Sequence, residues 1–229
     1  MDTRPQVTVA AAMTAPRYES VWARTKIDRA LHRVGIPLNI SGGVYYGQCM
    51  QIMLEDFVAK GIDYALTVDF DSVFMETDVE RLLKWIVNRP EIDAVAAIQP
   101  KRGDGQILGA IFKDGDKVVW DGTPVKVDSA HFGLTVIDLK KLSTMPKPWF
   151  HHQPDENGSW SPDKIDDDVW FWKKWTEHGN SVYIDPATRL GHLEEVVSIF
   201  DEQMQLKHIY PKQWSELHED QVPEGLETS

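Results

Sequence analysis

Tyr64-Ala65-Leu66-Thr67-Val68-Asp69-Phe70-Asp71 is the stretch whose reading decides the fold. Its apolar run predicts a buried strand over Ile62–Val68 that ends where charge begins. Two carboxylates two residues apart on an extended segment point the same way, because the side-chain period of a strand is two. Such a strand brings negative charge to the rim of a sheet. Open α/β sheets bind ligands at that rim, and hard divalent cations prefer such oxygen ligands.

Working outward, the pattern alternates. Upstream, Tyr46, Cys49, Met50, Met53, Leu54, Phe57 and Val58 follow i, i+3, i+4 spacing, and Gly61 stands where a helix C-cap glycine belongs. Cys49 and the methionines on that stripe read as core. Before it come a strand over Val7–Ala12, turn-like residues Thr14-Ala15-Pro16-Arg17, a helix over about 20–34 and a short strand over Ile36–Ile40. Downstream, Thr77-Asp78-Val79-Glu80 reads as a capping box opening a helix, and Asp93–Ile98 as another buried strand. Strand and helix in alternation predict a mostly parallel sheet with helices on its faces.

The texture changes after Pro100. Glycines punctuate short runs over Ile107–Phe112 and Lys117–Trp120, which predicts hairpins. Phe132–Leu139 reads as a strand with a short helix behind it, and Pro146–Ser161 as a surface loop. Asp166–Gly179 reads as a helix opened by three acids, and Ser181–Ile184 as the last strand. Periodicity fades beyond about Gln203. The expected division is one domain over 1–200 and an acidic C-terminal tail over 201–229.

Composition narrows the partners. The net charge of −12 repels nucleic acid and anionic membranes unless a basic patch offsets it, and Lys101-Arg102 and Lys140-Lys141 are only pairs. Cys49 is the single cysteine, so no intrachain disulfide forms and a reducing compartment is expected. No stretch approaches the roughly 18 apolar residues of a membrane span. The expected location is cytoplasmic.

Two clusters carry chemistry. Asp69-Phe70-Asp71 suits a cation that bridges phosphates, its alternative being a loop pair that caps the helix at Thr77. Asp166-Asp167-Asp168 crowds three like charges. A helix dipole offsets only about 1 kcal/mol of that repulsion, so another cation or a raised pKa is implied. A carboxylate so poised can act as a general base toward a hydroxyl; the alternative is a solvated, acid-rich cap.

Four segments in order resemble the nucleotide-sugar glycosyltransferases of GT-A fold, close to the family 2 type. They are Val68-Asp69-Phe70-Asp71, Ala130–Ile137, Asp167-Asp168-Val169-Trp170-Phe171, and Tyr183-Ile184-Asp185 through Leu190-Gly191-His192. The match spans about residues 6 to 195. It implies an α/β, Rossmann-like single domain, with a central mostly parallel sheet flanked by helices and a small antiparallel hairpin region. It implies an inverting sugar transfer from a nucleotide-diphosphate donor, a UDP-sugar first, dependent on Mn2+ or Mg2+. Asp71 would coordinate the metal, Asp69 the ribose or a metal-bound water, and His192 would be a third ligand. Asp168 would be the base, with Asp167 binding the acceptor or sharing the proton. Thr14, Pro16, Arg17, Gln99, Lys101 and Arg102 would face the donor. Trp149 and Trp160 would form an acceptor platform or lid.

The sequence departs from that family at Asp167, where glutamate is usual, and it lacks the membrane helix of processive members. The acceptor is left open among a glycan, a lipid carrier, a metabolite, a protein and a modified DNA base, the last disfavoured by charge. Two other readings stand beside this one. Asp69-Phe70-Asp71-Ser72-Val73 also resembles the nucleophile motif of haloacid-dehalogenase-like phosphatases, but that nucleophile ends a first strand and this pair a third. A catalytically silent nucleotide-sugar-binding module is the other.

Overall fold

The computed structural model describes residues 7–15, 18–101, 107, 121–160, 164–200, 203–210 and 213. Strands and helices alternate through the first half: β1 (Val9–Ala15), α1 (Val21–Arg33), β2 (Leu38–Gly42), α2 (Tyr46–Ala59), β3 (Tyr64–Asp69), the short β4 (Ser72–Val73), α3 (Glu76–Asn88) and β5 (Ala94–Ile98). The second half holds β6 (Val125–Val127), β7 (Leu134–Asp138), α4 (Leu139–Ser143), α5 (Asp167–Glu177), β8 (Val182–Arg189), β9 (Gly191–His192), β10 (Val197–Phe200) and β11 (Leu206–Ile209). The hairpins read at Ile107–Phe112 and Lys117–Trp120 lie outside the described residues, apart from a bridge between Pro100 and Ile107.

Seven strands form one sheet in the order β2-β1-β3-β7-β5-β8-β6. β1 is parallel to β2 and β3, and β5 is parallel to β8. β7 runs antiparallel to both β3 and β5, so those two share a direction, and β6 runs antiparallel on the edge. Leu134, the first residue of β7, pairs with Val68 near the end of β3. That register brings Ala130–Gly133 to the same rim as Asp69, whose N–H donates to the Gly133 carbonyl at 3.2 Å. Periodicity could predict β7 but not its direction, because Leu134–Ile137 is buried on both faces.

The two sheet faces are packed differently. One presents Ala10, Ala12, Ala65, Ala94 and Ala96 to α2, α4 and α5, and the room these alanines leave is filled by Phe132, Phe150, Phe171, Trp172 and Trp175. The other presents Met13, Leu66, Val68, Val95 and Val136 to α1 and α3. Alternation along β1 and β3 divides the residues between these cores, as the pleat requires.

Several local expectations change. Trp149 and Phe150, read as part of a surface loop, belong to the aromatic core, and Trp149 is only 2% exposed. Helix α3 starts one residue before Thr77, and the Asp78 carboxylate accepts the Met75 N–H at 2.8 Å. Ser181–Ile184 is not the last strand. β8 runs on to Arg189, and β10 pairs with β11 across position 201.

Strand β8 is tied to α3 by charge. Asp185, fully buried, accepts from Arg81, the Thr188 hydroxyl and the Ala187 N–H, while Arg81 also donates to the Gly122 carbonyl. Removing the cation strands a buried carboxylate. Arg81→Met is therefore expected to lower stability by about 2 kcal/mol, discounted because Arg81 reaches solvent. Urea unfolding of the two proteins would measure it; equal midpoints would contradict the pairing.

Candidate functional site

Strands β1, β3, β5 and β8 all end at one rim, and α2 and α5 begin near it. Thr14, at the end of β1, stands in register with Asp69. Asp69 is the last residue of β3, whereas Phe70 and Asp71 already form a turn. The strand-period argument for parallel carboxylates therefore fails. Asp71 instead lies in the turn after β3, 5% exposed.

There Asp71 meets His192. The β4–β9 ladder pairs Ser72 with His192, the Leu193 N–H donates to the Asp71 carbonyl at 2.8 Å, and His192 Nε2 stands 3.3 Å from Asp71 Oδ2. His192 Nδ1 lies 3.0 Å from the Pro100 carbonyl. A carbonyl only accepts, so Nδ1 carries the proton. The remaining nitrogen faces a carboxylate, a contact satisfied by an imidazolium proton or by a cation. An imidazole oriented in this way through its other nitrogen is typical of metal-binding histidines. Among the described residues, however, no group of three or more His, Cys, Asp or Glu stands in ligating arrangement. The expected triad is assembled only as the Asp71–His192 pair, without Asp69.

The rest of this corner is held by Gly133 and His131. The buried imidazole of His131 donates from Nε2 to the Ala97 carbonyl at 2.7 Å and accepts the Gly133 N–H on Nδ1 at 2.9 Å. Burial pushes its pKa down to about 4. Gly133 is required by close approach: a Cβ there would stand 2.1 Å from Gln99 Oε1 and 3.0 Å from Ser72 Oγ. Gln99 is 1% exposed, and among the described residues neither atom of its amide, nor the Ser72 hydroxyl, has a hydrogen-bond partner. Gln99 forms part of the wall of a hollow of about 670 Å3 at the ends of β5 and β8. Buried polar groups are normally paired, which makes the Gln99 amide a candidate ligand contact.

The three acids of α5 take separate fates. Asp166 stands at the N-cap position without a side-chain capping bond and pairs with Lys164 at 3.0 Å. Asp167 accepts the Gly47 N–H at 3.1 Å and stands 3.4 Å from His152 Nδ1. It thus serves the start of α2, whose own N-cap Tyr45 supplies no side-chain bond. Asp168 accepts only locally among the described residues, from the Val169 N–H and its own backbone, and its carboxyl is pushed up, first by burial and then by Asp166 and Asp167.

Tyr46, read from the sequence as core, was missed as a site residue. Its hydroxyl is sealed from solvent without a partner among the described residues, and burial together with Asp69, Asp168 and Asp167 holds its pKa well above the usual phenol range. The helical stripe concealed it, because an aromatic at the first position of an amphipathic helix looks like packing. Of the remaining predicted residues, Lys101 is exposed, Trp160 is 59% exposed and Trp149 is in the core. Trp149 therefore presents no face to an acceptor. Pro16, Arg17 and Arg102 lie outside the described residues.

Comparison with solved structures bears on the fold. A197 from STIV superposes with a TM-score of 0.61 at 17% identity, over 88% of this chain and 94% of that one. The fold is GT-A-like. Two GT-A glycosyltransferases also match: GalNAc-T7, solved with UDP, GalNAc and Mn2+, at TM-score 0.48 and 13% identity, and S. aureus TarS 1–349, at 0.48 and 10%. This chain covers 44% and 60% of those two structures, and similarities this distant carry no argument about chemistry. No family profile and no curated protein matches the sequence. No helix among the described residues is long and apolar enough to cross a membrane.

Tyr46→Phe removes the orphan hydroxyl and keeps the ring on Phe132 and Phe150, each 6.2 Å away. Deleting a buried group that bonds to nothing is expected to leave stability unchanged or raise it by up to about 1 kcal/mol. A melt of the variant tests this; a clear loss of stability would mean that the hydroxyl is paired.

Proposed function

We propose that the chain is a metal-dependent glycosyltransferase of the family 2 type, moving a sugar from a nucleotide-diphosphate donor, a UDP-sugar first, to an acceptor hydroxyl with inversion. The observation that supports this reading is the buried Asp71–His192 contact at the sheet rim of a GT-A-like fold. Two protein ligands suit Mn2+ or Mg2+, which are commonly completed by substrate phosphates and water. Bound there, the ion would neutralise the diphosphate leaving group.

The chain's own residues divide the remaining work. Asp168 accepts the proton of the acceptor hydroxyl as that oxygen attacks the anomeric carbon. Asp167, whose oxygens are engaged by Gly47 and His152, shapes the acceptor side and is not the base. Thr14 and Asp69 meet the nucleoside at adjacent strand ends, and the unpaired Gln99 amide binds the donor. Lys101, Pro16, Arg17 and Arg102 complete the donor side in this reading, which the family resemblance suggests. The phosphatase alternative loses its basis in this fold, since Asp69 closes a third strand. A silent binding module would bind donor without releasing UDP.

Incubation with UDP-sugars and Mn2+ is expected to release UDP, and Asp71→Ala to lower that release at least ~100-fold. Unchanged turnover in the variant would contradict the role of Asp71. The pH profile adds a second check. Asp168 works deprotonated, so turnover rises with pH through its pKa. Because burial raises that pKa, the acid limb sits above the range of an ordinary aspartate. Asp168→Asn is expected to abolish the limb with most of the rate; a limb that survives in the variant assigns the base elsewhere.

A further inference from the structure

Beside Asp167, away from the Asp71–His192 pair, the start of α2 and residues 150–152 enclose a cavity of about 510 Å3. Its rim is aromatic. Tyr45 stacks on His152 with ring centres 6.3 Å apart and planes 19° apart, and His152 meets Trp160 at 5.5 Å. Tyr45 and Trp160 are each 59% exposed, so their ring faces are open to a ligand. Among the described residues the polar lining consists of Gln48, Gln51, the two imidazoles of His151 and His152, and the Asp167 carboxylate, with no lysine or arginine.

This combination selects a ligand class. A carboxylate in a chain of net charge −12 repels phosphates and acidic glycans. Flat apolar ring faces beside an amide and an acceptor-only carboxylate match a group with C–H faces and donating hydroxyls. The volume lies within the range of small-ligand sites and is too small to seat a folded partner. We propose that this cavity is a saccharide subsite that takes a neutral sugar on Tyr45, His152 and Trp160 with a hydroxyl bonded to Asp167. Its role as the acceptor subsite rests on the transferase reading, because Asp167 adjoins the base Asp168; saccharide binding itself does not.

A printed array of neutral, sialylated and phosphorylated glycans, probed with the labelled full chain and no donor, tests the proposal. The wild type is expected to be retained on neutral glycans. Tyr45→Ala and Trp160→Ala should each weaken retention about tenfold, with melting temperatures unchanged. Trp22→Ala, at an exposed aromatic on α1, should not weaken it. No retention, retention on acidic glycans only, or equal retention by all variants would overturn the saccharide subsite. Retention by a wild type that releases no UDP from UDP-sugars would support the subsite and overturn the transferase reading instead.

Discussion

The contact between Asp71 and His192 is the constraint around which the rim is built. Asp71 follows β3, His192 follows β8, and Pro100, which receives the other imidazole nitrogen, follows β5. Three strand ends are thereby gathered at one point by a ladder of two residue pairs and two side-chain contacts. The arrangement puts a carboxylate oxygen against a ring nitrogen in a place with little water. There the interaction with a cation is far stronger than at the surface, and so is the cost of leaving it unmet.

The crowding of acids is managed by dispersal. Asp166 goes to a lysine, and Asp167 crosses to the N-terminus of another helix, where its charge meets the positive end of the dipole. Only Asp168 bears the cost of burial, and a carboxyl that burial makes more basic is the useful one for proton transfer. Gly47 makes the middle step feasible, since a Cβ there would stand 2.7 Å from the Asp167 carboxylate.

Much of this was legible in the sequence. The alternation of the first hundred residues fixed strand and helix to within a few positions, because amphipathic stripes such as Met50–Leu54–Phe57 have one reading. Three adjacent acids implied another cation or a raised pKa; the Asp168 carboxyl is pushed up, but by burial first and by Asp166 and Asp167 only after that. The failures have physical causes. β7 is buried on both faces, so nothing in its pattern records its direction. Trp149 sits among proline and polar residues yet packs under α2, since the alanine-rich sheet face leaves a volume that only large rings fill. Asp69 and Asp71 looked like one face of a strand, but the strand ends between them. Tyr46, Gly133 and the orphan amide of Gln99 gain their meaning only from neighbours distant in sequence.

The central claim is that Asp71 and His192 hold a divalent cation completed by a nucleotide diphosphate. Titration of the protein with Mn2+ in the presence of UDP, followed by the loss of the free-ion electron paramagnetic resonance signal, tests it most directly. The account predicts one UDP-dependent Mn2+ per chain, lost in both Asp71→Asn and His192→Ala. Wild-type protein that leaves the free-ion signal unchanged, or variants that bind as the wild type does, would contradict it.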